Sequence, residues 1–193
     1  MPLSNVQHGV IAQNEFAKYL MMGSGGRIEL AAPLTDEERR DFEIHVHGQY
    51  GSGLAVQVKS TLALTRLGAR ARYLRTFFVV RAGRVINHPL YWYFFAYLDP
   101  KLMRFAEPTF LVPSTDLHKQ ANPSRHGAFW HFSFEASMEP DSHDRWREYR
   151  VDPLELGKRV LEVIRDLKRG PRLSLSATEI PSTPGVVWAR LTK

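Results

Sequence analysis

The fold is decided by two neighbouring segments, Asp41-Phe-Glu-Ile-His-Val-His47 and Leu54-Ala-Val-Gln-Val-Lys-Ser60. In each segment apolar side chains occupy every second position, and this alternation is typical of a strand with one buried face. The intervening stretch, Gly48-Gln-Tyr-Gly-Ser-Gly53, has the composition of a turn. The sequence therefore predicts two strands joined by a loop, each with an apolar and a polar face.

The alternation also constrains how the two strands pair. If both apolar sets face one core, both polar sets share the other face, because a slip of one residue would reverse one whole set. This favours a register that places Asp41 opposite Lys59 and Glu43 opposite Gln57. A carboxylate beside an ammonium can be an ordinary cross-strand ion pair, worth about 0.2–1 kcal/mol. The pair alone therefore leaves a structural and a functional interpretation open.

Length and composition are those of a globular protein. Of the 193 residues, 44% are hydrophobic and 24% are charged, as in ordinary globular proteins. The length favours one domain, predicted over residues 1–170. Residues 171–193 contain Ser, Thr and Pro and are predicted to form a tail. The absence of cysteine argues against disulfides and thiolate metal sites and fits a reducing compartment. There is no leader-like start and no apolar stretch of membrane-spanning length, so a cytoplasmic location is expected.

The net charge of +6 is concentrated in one segment. Residues 61–90 contain six arginines and no acidic residue. Arginine suits phosphate oxygens because its planar guanidinium donates several hydrogen bonds. The segment therefore predicts a nucleic-acid-binding surface, with a basic solvated surface as the alternative. Its candidate contact residues are Arg66, Arg70, Arg72 and Arg75.

Further periodicities outline the remaining elements. Apolar residues at helical spacing predict a first helix over residues 5–22, and Asp152 followed by Pro153 predicts the start of a last helix. Residues 61–72 are ambiguous between an irregular segment and a short helix. The order of elements predicts an α/β fold with a mixed central β-sheet flanked by helices. The remaining predicted strands cover residues 27–31, 73–80, 90–98, 110–113 and 129–134.

The order of the polar residues resembles a known nuclease pattern. The first helix carries an acid, and one strand begins with an Asp. The next strand carries a polar residue, an apolar residue and Lys in succession. This order resembles the motif of the PD-(D/E)XK nuclease-like superfamily. Within it, Leu54-Ala-Val-Gln-Val-Lys-Ser-Thr61 resembles the Gln-Val-Lys-Ser/Thr strand of a set of largely uncharacterised prokaryotic members. The resemblance covers about residues 5–113 and implies a restriction-endonuclease-like core.

This resemblance implies catalytic roles for four residues. Asp41 matches the motif aspartate, and Lys59 matches the motif lysine. Gln57 takes the position usually held by Glu or Asp, and Glu15 is the first-helix acid. The resemblance also implies a Mg²⁺ or Mn²⁺ ion held by Asp41, the Gln57 side-chain oxygen and the Val58 backbone carbonyl, and magnesium does prefer such oxygen ligands. Lys59 would orient a water molecule or offset charge in the transition state.

The function implied is metal-dependent hydrolysis of phosphodiester bonds in DNA. Gln57 is neutral where the motif usually has a carboxylate, so the metal site has one negative charge fewer. Either Glu15 and Glu43 supply the missing charge, or the metal is bound weakly. The second hypothesis is therefore a catalytically weak or inactive nuclease-fold module that binds nucleic acid or a protein partner, with a homodimer as one arrangement. A small-molecule enzyme is the third. His45 and His47 have the spacing of a transition-metal pair, with hydrogen-bonded histidines as the alternative.

Overall fold

Two β-sheets and two long helices make up the computed structural model, which describes residues 3–34, 39–67 and 71–169. The predicted tail over residues 171–193 lies outside this range. None of the described helices is long and apolar enough to cross a membrane. The helices are α1 (Asn5–Gly23), α2 (Ser114–Gln120) and α3 (Leu156–Arg169). The strands are β1 (Ile28–Ala31), β2 (Phe42–Val46), β3 (Gln49–Thr61), β4 (Thr65–Leu67), β5 (Ala71–Arg81), β6 (Tyr91–Asp99), β7 (Arg104–Pro113), β8 (Ser124–His126), β9 (Phe129–Ser137) and β10 (Arg150–Val151).

The first sheet has six strands in the order β1-β2-β3-β6-β7-β10. Strands β3 and β6 run parallel, whereas the other neighbours are antiparallel. The parallel pair needs a crossover connection, and this crossover consists of β4 and β5, which belong to a second sheet with the order β4-β5-β9-β8. The predicted α/β class with a mixed central sheet is confirmed.

The central strand β6 is buried from both sides. Phe94 faces a core formed with α1 and α3, whereas its neighbour Phe95 faces the second sheet and stacks on Phe134 of β9 at 3.8 Å between ring centroids. Helices therefore cover one face of the first sheet, and the second sheet covers the other. This burial on both faces explains why β6 is apolar at almost every position. The second sheet is an element that the sequence reasoning did not predict.

The predicted loop between the first two strands is mostly strand. Only His47 and Gly48 form the tight turn, with Gly48 at a φ of 72°, and β3 begins at Gln49. The extra residues of β3 are absorbed by an irregularity next to His45, which lies opposite Gly53. A Cβ at Gly53 would lie 2.7 Å from the His45 ring, so the ring occupies the space that glycine leaves open.

The tight turn changes the register that was predicted for the two strands. Glu43 pairs with Ala55 rather than with Gln57, and the same shift brings Asp41 level with Gln57 rather than Lys59. The predicted register is therefore wrong by two residues, because the pairing is set by the tight turn together with the irregularity between His45 and Val46. A shift of two residues preserves the faces, so the polar side chains still share one side of the sheet.

Helix α1 forms where the helical spacing predicts it, but its buried side differs from the predicted stripe, because Val6, Val10 and Met21 are exposed. Ser4 and Gln7 form a reciprocal capping box at its start, and Ala12, Phe16 and Leu20 form its buried stripe. The last helix also forms: the Asp152 side chain accepts the Leu154 N–H, and a 3₁₀ turn leads into α3. In the described part of the ambiguous basic segment, residues 65–67 form strand β4 and pair with β5.

Candidate functional site

Asp41 lies immediately before β2 and is held against the side of β3. Its Oδ2 accepts the Val58 backbone N–H at 2.6 Å, and its Oδ1 accepts the Gln13 side-chain amide at 2.7 Å. Its own N–H donates to the Val56 carbonyl at 2.9 Å. Hydrogen bonds to a carboxylate are the strong class, so this carboxylate has a fixed position on the chain.

The Val58 carbonyl faces the same side of β3 as Asp41. In a strand, the N–H and C=O of one residue point towards the same edge, and the N–H of Val58 points to Asp41. Because β2 begins only at Phe42, this edge of β3 is not covered by a ladder partner at Val58. A carboxylate and a backbone carbonyl are therefore presented side by side.

Gln57 and Lys59 lie on the face of β3 that is turned towards the second sheet. Gln57 is 6% exposed and is level with Tyr93 of the neighbouring strand β6. The Lys59 ammonium lies 5.5 Å from the centre of the Phe78 ring of β5. The two side chains flank Val58, whose N–H binds the Asp41 carboxylate, but they point to the second sheet, whereas that carboxylate also contacts Gln13 of α1.

Glu15 is not brought to Asp41. Its carboxylate, with a side chain only 11% exposed, forms a salt bridge with Lys18 at 2.7 Å. Gln13 and Glu15 are two residues apart and therefore about 200° apart around the helix, so they lie on opposite sides of the buried stripe. The residue of α1 that contacts Asp41 is Gln13, which sequence reasoning missed. Its spacing of three and seven residues from Phe16 and Leu20 places it beside the stripe and is the signal that could have found it.

Two other carboxylates near the site, Glu43 and Glu29, contact basic residues. Glu43 forms an ion pair with Arg40 at 2.9 Å and lies 3.6 Å from His45. His47 contacts Glu29 instead, at 2.7 Å. The two histidines thus have different partners, as the alternative of hydrogen-bonded histidines expects.

Within the described residues, no three His, Asp or Glu side chains form a group that could hold a metal ion. The predicted set is of another kind, since it has one carboxylate, Asp41, together with the Gln57 amide oxygen and the Val58 carbonyl. Hard divalent cations accept all three oxygen types. Their combined charge of minus one predicts weaker binding than a site with two carboxylates.

A cleft of about 320 Å³ lies beside these residues. Its lining includes Ala55, which lies on the same face of β3 as Gln57. Polar side chains are contributed by Arg40, Glu43, His45 and His88. The cleft therefore carries both a guanidinium and a carboxylate, and Arg40 and Glu43 pair with each other at 2.9 Å.

The arginine segment is split between two faces of the second sheet. Arg66 and Arg72 are directly opposite each other on β4 and β5. Arg75 lies three residues beyond Arg72 and so projects from the opposite face of β5. Arg70 lies outside the described residues. The predicted single surface therefore contains at least two separate parts.

Two of these arginines have acidic neighbours. Arg75 forms an ion pair with Glu135 at 2.9 Å, and Arg72 lies 3.5 Å from Glu139. Both Arg66 and Arg72 are exposed, and like charges placed directly opposite across a ladder are destabilising. An anion bound between Arg66 and Arg72 would relieve that repulsion.

A partly buried histidine also contacts β3 next to the site. The His8 Nε2 lies 2.9 Å from the Ser60 Oγ, and burial lowers the pKa of His8 below its usual value of 6.5. His118, which lies 3.4 Å from the Tyr93 hydroxyl, also has a pKa lowered by burial. Both histidines therefore favour the neutral form in the folded protein.

Mild acid is expected to destabilise the fold through these two histidines. The unfolded chain takes up protons near pH 6.5, whereas the folded state resists them until the pH reaches the lowered pKa values. The stability is therefore full above about pH 7 and falls as the pH drops through about 6.5 towards those values. Urea unfolding over this range checks this. The double variant His8→Gln/His118→Gln is expected to flatten the curve, and an unchanged slope would contradict the assignment.

No protein-family model and no curated protein matches the sequence. Among solved structures, the fold is similar to a bacterial homing endonuclease, I-Ssp6803I. The similarity has a TM-score of 0.49 and a sequence identity of 20%, and it covers 86% of this chain and 97% of the endonuclease chain.

Proposed function

We propose that this protein binds DNA and hydrolyses its phosphodiester bonds with the help of Mg²⁺ or Mn²⁺. The observation that carries the proposal is the position of Asp41, whose carboxylate is held against Val58 between Gln57 and Lys59. An oxygen-rich cation site beside a lysine is the combination that phosphoryl-transfer chemistry needs. The proposal extends the implied PD-(D/E)XK-like mechanism to these residues.

Each side chain has a separate task in this proposal. Asp41, the Gln57 oxygen and the Val58 carbonyl hold the cation, which when bound lowers the pKa of water and offsets phosphate charge. Gln13 is a positioning residue, because its amide fixes one carboxylate oxygen of Asp41. Lys59 places a positive charge next to the phosphate, where negative charge develops in the transition state. This assignment replaces Glu15 with Gln13 as the contribution of α1.

Arginines supply the contacts to the DNA backbone. Arg66 and Arg72 are exposed and lie directly opposite each other, and Arg40 lines the cleft beside Ala55 together with Glu43 and two histidines. Phosphate contacts of this kind position the duplex and make binding dependent on salt. They do not by themselves select a sequence.

Removal of the metal is expected to abolish cleavage. Supercoiled plasmid and short duplex DNA are incubated with the protein in Mg²⁺, in Mn²⁺ and in excess chelator. Nicked or linear products are expected with metal and none with chelator, because the single carboxylate cannot activate water without the cation. If neither metal gives products but the protein still binds DNA in a salt-dependent way, the cleavage proposal is contradicted. The protein would then be the non-catalytic binding module that the neutral Gln57 favours.

A further inference from the structure

The second sheet has an outer face, turned away from the first sheet, that carries large apolar side chains. Phe77 is 67% exposed, Phe129 is 46% exposed and Val79 is 41% exposed. Inward-facing neighbours on the same strands, such as Phe78 and Phe132, belong to the core. We call this surface the outer face, and define it by Arg75, Phe77, Val79 and Arg81 of β5 and Phe129 and His131 of β9.

These side chains are interleaved with cationic ones. The Arg75 guanidinium lies 4.9 Å from the centre of the Phe77 ring, and Arg81 is directly opposite Phe129 in the ladder. Phe129 is therefore level with a position four residues beyond Phe77 on β5. The Phe77 and Phe129 rings lie about 14 Å apart along the strands. An exposed aromatic surface rimmed by arginine is unusual for a face that only meets water.

Bases of a single strand fit this arrangement. An unpaired base can stack on an exposed aromatic ring or on a guanidinium plane, whereas the phosphates between bases need positive charge. A duplex hides its base faces and offers only groove edges and phosphates. We propose that the outer face binds single-stranded nucleic acid, with bases stacked on Phe77 and Phe129 and phosphates contacted by Arg75 and Arg81.

Charge favours this ligand over a second copy of the chain. A two-fold dimer would place the same surface on both subunits and would bring Arg75 and Arg81 of each copy together. Among the described outward positions of β5, β8 and β9, Glu135 is the only carboxylate, and it already pairs with Arg75. A polyanion complements this face, whereas an identical face does not.

The outer face is separate from the Asp41 site. Lys59 of that site contacts Phe78, which points inward from β5, whereas Phe77 and Val79 point outward. Binding on the outer face therefore goes beyond the proposed cleavage and needs no metal. It can be measured with chelator present, so a failure of cleavage has no bearing on it.

Fluorescence anisotropy with a labelled oligothymidylate and an equally long duplex, both in chelator, tests the proposal. The wild-type protein is expected to bind the single strand more tightly. Phe77→Ala and Phe129→Ala are each expected to lower that affinity by roughly 5- to 150-fold, the range for loss of one stacked base. Phe77→Trp keeps a stacking ring and is expected to retain binding. Leu154→Ala, which removes an equally exposed apolar side chain elsewhere (70% exposed), is the matched control and is expected to bind as wild type.

Charge and assembly give two further tests. Arg81→Gln is expected to lower the slope of log affinity against log salt by about 0.7, one phosphate contact of a single strand. Equal single-strand affinity in the wild type and both phenylalanine variants would overturn the proposal. So would light scattering that shows a wild-type dimer and a Phe77→Ala monomer, because the outer face would then be a subunit interface.

Discussion

Replacement of Lys59 by alanine is expected to lower metal-dependent DNA cleavage by about 10²- to 10³-fold, the effect of removing one transition-state charge partner. Lys59 follows Val58, whose N–H holds Asp41, and its ammonium is oriented over Phe78. A cation held in a fixed position costs little reorganisation when charge develops on the phosphate. The loss should therefore appear in the rate of the chemical step rather than in DNA binding.

Single-turnover cleavage under saturating protein, with DNA affinity measured in parallel, separates these two effects. Lys158→Ala is the matched control, because it removes an exposed lysine that pairs with Glu155 on the surface. Lys59→Arg keeps the charge in a different shape and is expected to recover part of the rate. Cleavage by Lys59→Ala at the wild-type rate would remove Lys59 from the mechanism.

Replacement of Gly157 by alanine is expected to destabilise the protein by about 2–3 kcal/mol, the upper part of the range for overpacking. An added Cβ would lie 2.3 Å from the Ser24 nitrogen and 2.5 Å from both the Gly23 carbonyl carbon and the Leu20 oxygen. All three are backbone atoms, which a rotamer change cannot relieve, so α1 and α3 would have to separate. Because α1 carries Gln13, the position of Asp41 would change as well.

The matched control is Gly9→Ala in α1. A Cβ at this position meets no atom within 4 Å, and alanine in place of glycine stabilises a helix interior by about 0.5–1 kcal/mol. The same substitution is therefore expected to have opposite signs at the two positions. Urea unfolding of both variants measures this, and a Gly157→Ala protein at least as stable as the wild type would contradict the close helix contact.

Local chemistry was sufficient to predict the elements that depend on few contacts. The capped helix α1, the start of the last helix after Asp152 and the aromatic strand β6 all form, because caps and periodicity act over a few residues. The polar face that joins Gln57 and Lys59 was also predictable, since side chains two residues apart on a strand point the same way. The predicted functions of these residues remain predictions until cleavage is measured.

The remaining features depend on contacts between distant parts of the chain. The choice of Gln13 rather than Glu15 beside Asp41 depends on how α1 is rotated over β3, and either edge of its apolar stripe could have faced the site. The second sheet arises because β5 pairs with β9, whose residues lie 48 to 64 positions further along the chain. Because β5 is a strand, Arg72 and Arg75 project from opposite faces, although the sequence shows them as one cluster.

Residues 41–47 and 54–60 show most clearly what the sequence determines and what the tertiary structure decides. Alternation by itself determined that Asp41, Gln57 and Lys59 belong to the polar side of their strands, because the period of two is a property of the extended backbone. Only the tertiary structure decided which of them are neighbours. The turn at Gly48 and the irregularity beside His45 together set the pairing, which differs by two residues from the predicted one, and Asp41 binds the Val58 N–H.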